Sequence, residues 1–181
     1  MTTHTEQRTM SNTSYRIMAL YLRARERFRK PQEFAKNLGI KEGHRVLDYG
    51  CGIGSYTMPV AELVGEGGTV YALDIHPLAL ERVRKRTKKT GITNVETILS
   101  GLETGLPNEH LDFTLLIDVY TWVPDKEELI AEMHRVLKPS GKLVFLIDHV
   151  SPEDCKNTVA ASGLFRFISQ DENVLRYEKF E

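Results

Sequence analysis

The chain has 181 residues, 41% of them hydrophobic and 27% charged, with a formal net charge of -1. That length suits one domain, which buries roughly 70% of the surface its unfolded chain exposes and so needs neither a metal nor disulfides to hold a core. The near-neutral charge argues against a general affinity for nucleic acid or anionic membrane, no run reaches the ~20 apolar residues that cross a bilayer, and two cysteines without a secretory signal fit a cytoplasmic location.

Residues 1–14 are polar and rich in Thr, and read as a frayed tail. The next stretch, YRIMALYLRARERFRK, sets Ile17, Leu20, Tyr21 and Phe28 at roughly helical spacing with arginines between them. A second short helix begins at Pro31, a residue suited to a first helical turn, and stops at Gly39. Residues 15–40 are thus expected to form a helical lid, because the domain that follows, 41–181, carries no insertion between its strands to cover a cleft.

From Arg45 strands and helices alternate. RVLDYG is an apolar strand that breaks on glycine, and after a Gly-rich turn a helix runs over about Ser55 to Val64, with Pro59 as an irregularity in its first turn. TVYALDI is a second strand, PLALERVRKRTKKTG a helix ending at Gly91, NVETILSG a third strand and LDFTLLIDVY a fourth. A helix over about Lys126 to Leu137 ends in KPSG, which turns the chain into a fifth strand, KLVFLID. After Pro152 come a short helix and two strands separated only by Asp171, Glu172 and Asn173, a spacing that suits an antiparallel hairpin at the sheet edge. Alternating units with near-continuous apolar strands mean a doubly wound α/β domain, a mostly parallel sheet covered on both faces.

In such sheets ligands bind beyond the carboxyl ends of the strands. The first strand ends in Asp48, and Gly50, Cys51, Gly52, Ile53 and Gly54 form the turn that follows. A dinucleotide fingerprint needs G-x-G-x-x-G/A, and both registers fail, at Ser55 and at Thr57. The pattern present is D-x-G-x-G-x-G, whose acid repels a pyrophosphate and attracts an ammonium group. A tight turn without a ligand is the plain alternative. Asp74, at the tip of the second strand, suits the two hydroxyls of a ribose or, equally simply, the cap of the next helix.

Together with Gly101-Leu102-Glu103-Thr104-Gly105-Leu106-Pro107, Leu111-Asp112-Phe113 and Leu137-Lys138-Pro139-Ser140-Gly141-Lys142-Leu143, these motifs resemble the class I S-adenosylmethionine-dependent methyltransferases, nearest to the type 11-like, small-molecule group. The resemblance covers roughly Pro31 to the C-terminus. It implies a Rossmann-like methyltransferase fold, a seven-stranded sheet in the order 3-2-1-4-5-7-6 with strand seven antiparallel, and S-adenosylmethionine as cofactor. It also places the cofactor's methionine part on Gly50, Gly52 and Gly54 with Asp48 near the ammonium, the ribose on Asp74 and one adenine face on Ile75. Gly101, Leu102 and Glu103 would lie at the adenine edge, where Leu102 replaces the family's frequent Asp and offers only its backbone amide. Asp118, ending the fourth strand, would line the junction of cofactor and acceptor.

Methyl transfer from a sulfonium disperses charge, so the protein must chiefly align the acceptor and exclude water, adding a base only where the acceptor loses a proton. His149, beside Asp148 at the end of the fifth strand, is a candidate base or a structural histidine. Tyr120 and Trp122 wall the acceptor or pack under a lid. Asp118, Asp148 and His149 also parallel the ligands of metal-dependent catechol-type methyltransferases, but His in place of Asn departs from them, and no metal is expected. The absence of Asn-Pro-Pro-Tyr at the fourth strand speaks for a small-molecule acceptor over a nucleic-acid base. The cations of RVRKRTKK and of Arg16 to Lys30 read as solvated helix faces. The rival classes are a nucleotide-dependent oxidoreductase and a non-catalytic S-adenosylmethionine-binding protein.

Overall fold

A computed structural model describes residues 9–148 and 151–180. Seven strands form one sheet in the order β3-β2-β1-β4-β5-β7-β6. The strands are β1 (Arg45–Tyr49), β2 (Thr69–Asp74), β3 (Val95–Leu99), β4 (Leu111–Ile117), β5 (Leu137–Leu146), β6 (Phe165–Asp171) and β7 (Val174–Lys179). The first five pair in parallel, and β7 runs antiparallel to both β5 and β6. The helices are α1 (Asn12–Arg29), α2 (Pro31–Lys36), α3 (Thr57–Val64), α4 (Pro77–Thr90), α5 (Lys126–Val136) and α6 (Pro152–Ser162). No helix among the described residues is long and apolar enough to cross a membrane.

The strand pattern explains the two layers. Along β1, Val46 joins the core beneath α2 and α3, whereas Leu47 and Tyr49 join the core beneath α5 and α6. The same alternation recurs in β5, with Val144 and Leu146 on the first face and Leu143 and Phe145 on the second. Ala72 of β2 packs with Met58 of α3 and with Leu80 and Val83 of α4, which sets α4 on the α3 side. Burying both faces requires nearly uninterrupted apolar strands, and β4 and the Leu143–Leu146 half of β5 meet that requirement.

Three boundaries differ from those expected. Helix α1 starts at Asn12, inside the stretch read as a tail, because Ser11 caps it by accepting a hydrogen bond from the Ser14 amide. Helix α3 starts at Thr57, so Pro59 sits in the first turn, where a missing N–H costs no helical bond. KPSG is part of β5: Leu137 already pairs with Leu111, and a register shift with Ser140 at φ 59° absorbs the extra residues before Lys142 pairs with Phe113.

Candidate active site

The carboxyl ends of β1, β2, β4 and β5 lie side by side, and each carries or precedes an acid. Asp48 of β1 is level with Ala72, so Asp74 projects two residues further along β2. Between them the chain turns on Gly50, Gly52 and Gly54, with φ of 75°, 55° and 78°. These angles suit glycine, and at Gly50 a side chain has no room either: a Cβ would lie 2.3 Å from Cγ2 of Val119. The amides of Gly50 and Cys51 both donate to the carbonyl of Leu73, at 2.8 and 2.9 Å. That pair folds the turn over the tip of β2.

The two acids differ in their surroundings. Asp48 is 2% exposed and accepts a 2.6 Å hydrogen bond from the Thr57 hydroxyl. Burial pushes its carboxyl up to about 6, the Thr57 hydroxyl pulls it down, and the charge of Asp74 raises it further. Asp74 accepts from the Gly52 amide at 2.9 Å with one oxygen and from the His76 amide at 2.8 Å with the other. Burial raises its carboxyl also, and the amides of His76 and Gly52 oppose the rise. Asp74 is therefore a clamp that joins the glycine turn to the start of α4, while His76 performs the side-chain cap, accepting from the Leu78 amide.

Helix α1 lies across these strand ends. Tyr15 is 1% exposed and stacks on His76, ring centroids 4.2 Å apart, with its hydroxyl donating to the Gly52 carbonyl at 3.4 Å. Leu22 approaches Gly52 from the same helix. One turn further on, Arg25 pairs with Asp118 at 2.6 Å and reaches Asp148 at 3.8 Å. Arg29 pairs with Asp148 and stands 4.0 Å from Asp118. Asp118 holds φ at 55°, a conformation few non-glycine residues adopt, and such strain persists where surrounding contacts enforce it. Its Oδ1 and the hydroxyl of Tyr56, which lies beside Arg29, are buried polar atoms without a hydrogen-bond partner among the described residues. A glycine cradle, two carboxylates at neighbouring strand tips and these two polar atoms fit a ligand that carries an ammonium, a ribose and a carboxylate.

The glycine turn, Asp48, Asp74 and Asp118 are brought together as expected from the sequence, and Ile75 is half-buried just beyond β2. In the loop after β3, Gly101 accepts from the Tyr49 hydroxyl at 2.5 Å, Leu102 packs on the main core, and Glu103 is exposed. The buried polar residue of that loop is Thr104, whose amide and hydroxyl hold Glu132 of α5 at 2.9 and 2.6 Å. Tyr120 lies away from the acid cluster: its ring packs edge-on to Phe145 at 5.6 Å, and its phenol, raised by burial, faces α6. Trp122 is 75% exposed. His149 lies outside the described residues. Cys51 and Cys155 are both buried thiols, the latter pushed up to about 12 by burial, so neither is a nucleophile in this state. Sequence reasoning missed Tyr15, Arg25, Arg29 and Tyr56. For the arginines the signal was their i, i+4 spacing in register with Met18 and Leu22.

Residues 40–175, three quarters of the chain, match the family model described as a methyltransferase domain. The chain belongs to this methyltransferase domain family. Methyltransferase membership agrees with the expectation of S-adenosylmethionine as cofactor and counts against a nucleotide-dependent oxidoreductase. This methyltransferase domain is 31% identical over 116 residues to a demethylmenaquinone methyltransferase of Geobacillus sp. (strain WCH70), an overlap of 64% of this chain and 50% of that protein. It is 34% identical over 104 residues to the aklanonic acid methyltransferase DauC of Streptomyces sp. (strain C5), an overlap of 57% of this chain and 47% of that protein. The chain thus spans about half the length of these relatives. In fold it is similar to a SAM-dependent methyltransferase from Aquifex aeolicus, with a TM-score of 0.80, 22% identity, and coverage of 94% of this chain and 98% of that one.

Proposed function

We propose that this protein transfers the methyl group of S-adenosylmethionine to a small organic acceptor held between α1 and the tips of β4 and β5. The observation that carries this reading is the junction of the glycine turn with Asp74, sealed by the 2.9 Å bond from the Gly52 amide. It supports a reading in which the backbone cradle and the carboxylate hold an amino acid and a sugar of one ligand together.

Asp48, whose carboxyl burial pushes up to about 6, becomes in its ionised form the partner of an ammonium group. Asp74 turns its remaining lone pairs to the ribose hydroxyls. Ile75 and the backbone of Gly101 and Leu102 bound the adenine, with Glu103 at the rim. When bound, the cofactor supplies an electrophilic methyl on a sulfonium. The chain's own work is alignment and exclusion of water, for which α1 and α2 act as a lid. Asp118 and Asp148 line the acceptor side, with Arg25 and Arg29 as their counter-charges. His149, next to Asp148 in sequence, is the candidate base for an acceptor that must lose a proton. The relatives are named for small organic acceptors, which supports that class over nucleic acid. Two unpaired, buried cysteines support a cytoplasmic location.

Calorimetry with S-adenosylhomocysteine tests the cofactor site. Asp74→Ala removes a charged acceptor and is expected to weaken binding by about 1–3 kcal/mol; an unchanged dissociation constant removes Asp74 from the site. A transfer screen with methyl-labelled cofactor across phenols, thiols, amines and RNA tests the acceptor class, and labelling of RNA alone overturns it. Cofactor binding without transfer to any of them would make the protein a non-catalytic binder.

A further inference from the structure

The outward face of α1 is apolar where a solvated helix is polar. Ile17, Leu20, Tyr21 and Phe28 are 66%, 66%, 57% and 86% exposed. At 3.6 residues per turn they fall, with Ala24, inside one arc of about 100°, opposite the arc of Tyr15, Ala19 and Leu22 that packs inward. Arg16, Arg23 and Arg27 are exposed along one margin of this stripe. Beyond that margin a groove of about 790 Å³ separates α1 from α4, lined by Arg23, Lys30, Arg82, Lys85, Arg86 and Lys89 against Glu26, Glu33 and Glu62. Glu26, the one acid of α1, is bonded to Arg86 at 2.9 Å, and Glu33 to Lys30 at 3.2 Å. The face presented to the outside is an apolar strip bordered by cations.

We propose that this face seats the protein on the surface of an anionic lipid bilayer, with α1 lying in the headgroup plane. Charge complementarity selects that occupant. A second copy of the chain meeting this face with its α1 antiparallel across a two-fold axis would bring Arg16, Arg23 and Arg27 close to their own duplicates, which repel. A bilayer with anionic headgroups takes the apolar side chains into its acyl boundary and pairs the cations at the same time. The net charge of -1 conceals the asymmetry, because acids balance these cations elsewhere, on Glu127, Glu128 and Glu132 of α5 and on Asp171 and Glu172 of the hairpin. The proposal does not depend on the acceptor or on catalysis. It does link the membrane surface to the site, since the inward face of α1 carries Tyr15, Arg25 and Arg29.

Co-sedimentation of the full chain with vesicles tests it, comparing pure phosphatidylcholine with phosphatidylcholine containing phosphatidylglycerol. Binding is expected to the anionic vesicles only, to fall at high salt, and to weaken roughly tenfold or more in Phe28→Glu and Leu20→Glu. Circular dichroism checks that these variants fold, and the wild-type comparison of the two vesicle types stands whether or not they do. Equal sedimentation with and without anionic lipid overturns the proposal, as does binding that both folded variants retain in full. A concentration-dependent dimer in sedimentation velocity that Phe28→Glu dissolves, with no vesicle binding, overturns it in favour of self-association.

Discussion

Asp48 and the glycines beside it hold opposing demands in a few side chains. A buried carboxyl whose value rises from 3.8 to about 6 binds its proton more tightly in the folded chain than in the unfolded one. The stability this gives is complete below pH 3.8 and is lost as pH rises through about 6. Denaturant unfolding of wild type is therefore expected to show a decline of at most about 3 kcal/mol across that window relative to Asp48→Asn, which cannot titrate there; parallel profiles would mean that Asp48 is solvated. Cofactor affinity has the opposite sign. An ammonium binds the ionised carboxylate, so S-adenosylhomocysteine should bind more tightly as pH rises from about 5 to 7, and less steeply in Asp48→Asn. Sterics separate the glycines as clearly. Gly50→Ala drives a Cβ into Val119, whereas at Gly52 a Cβ would meet only Leu22 Cδ1 at 3.4 Å. Both pay for positive φ, but Gly50→Ala should cost about 1–3 kcal/mol more, measured as the difference in unfolding free energy between the two variants.

At the scale of elements, α1 is attached to the sheet by two different means. Its first half uses apolar packing of Tyr15, Ala19, Met18 and Leu22 against Ile53, Leu78 and Ala79. Its second half uses charge, Arg25 and Arg29 on Asp118 and Asp148, with Glu26 bonded to Arg86, which also donates to the Ile53 carbonyl at 3.2 Å. These side chains are mostly but not fully buried, so breaking the pairs strands two carboxylates in a partly dry cleft. Replacing Arg25 and Arg29 together by Ala should cost about 1–3 kcal/mol. The loss should be local: hydrogen exchange in residues 12–29 is expected to quicken while β1, β4 and β5 keep their protection. Protection retained throughout α1 would assign its docking to the apolar half alone.

For the whole molecule, periodicity and spacing read from the chain were enough to place six helices and seven strands, because the central strands, buried on both faces, leave an apolar signature and the short spacing between the last two marks a hairpin. The D-x-G-x-G-x-G turn and Asp74 were legible for a similar reason: their chemistry is local, within one β-α unit and the next strand. The pairs that close the cleft were not, since Arg25 and Asp118 stand 93 residues apart and an arginine on a helix is solvated by default. Tyr120 and Leu102 illustrate the converse, side chains at site-like positions that the fold draws into packing. A ligand held by β1, β2, β4 and α1 at once must stabilise all of them together. S-adenosylhomocysteine at about a hundred times its dissociation constant should add about 2.7 kcal/mol to the folded state. For a chain of this size that corresponds to roughly 5–10 °C in Tm. NADH should add nothing, because the acid at Asp48 repels its pyrophosphate and the turn lacks the third glycine of a dinucleotide fingerprint. Equal silence from both compounds in a thermal melt would remove the cofactor from this cleft, and a shift with NADH alone would return the sheet to the oxidoreductase class.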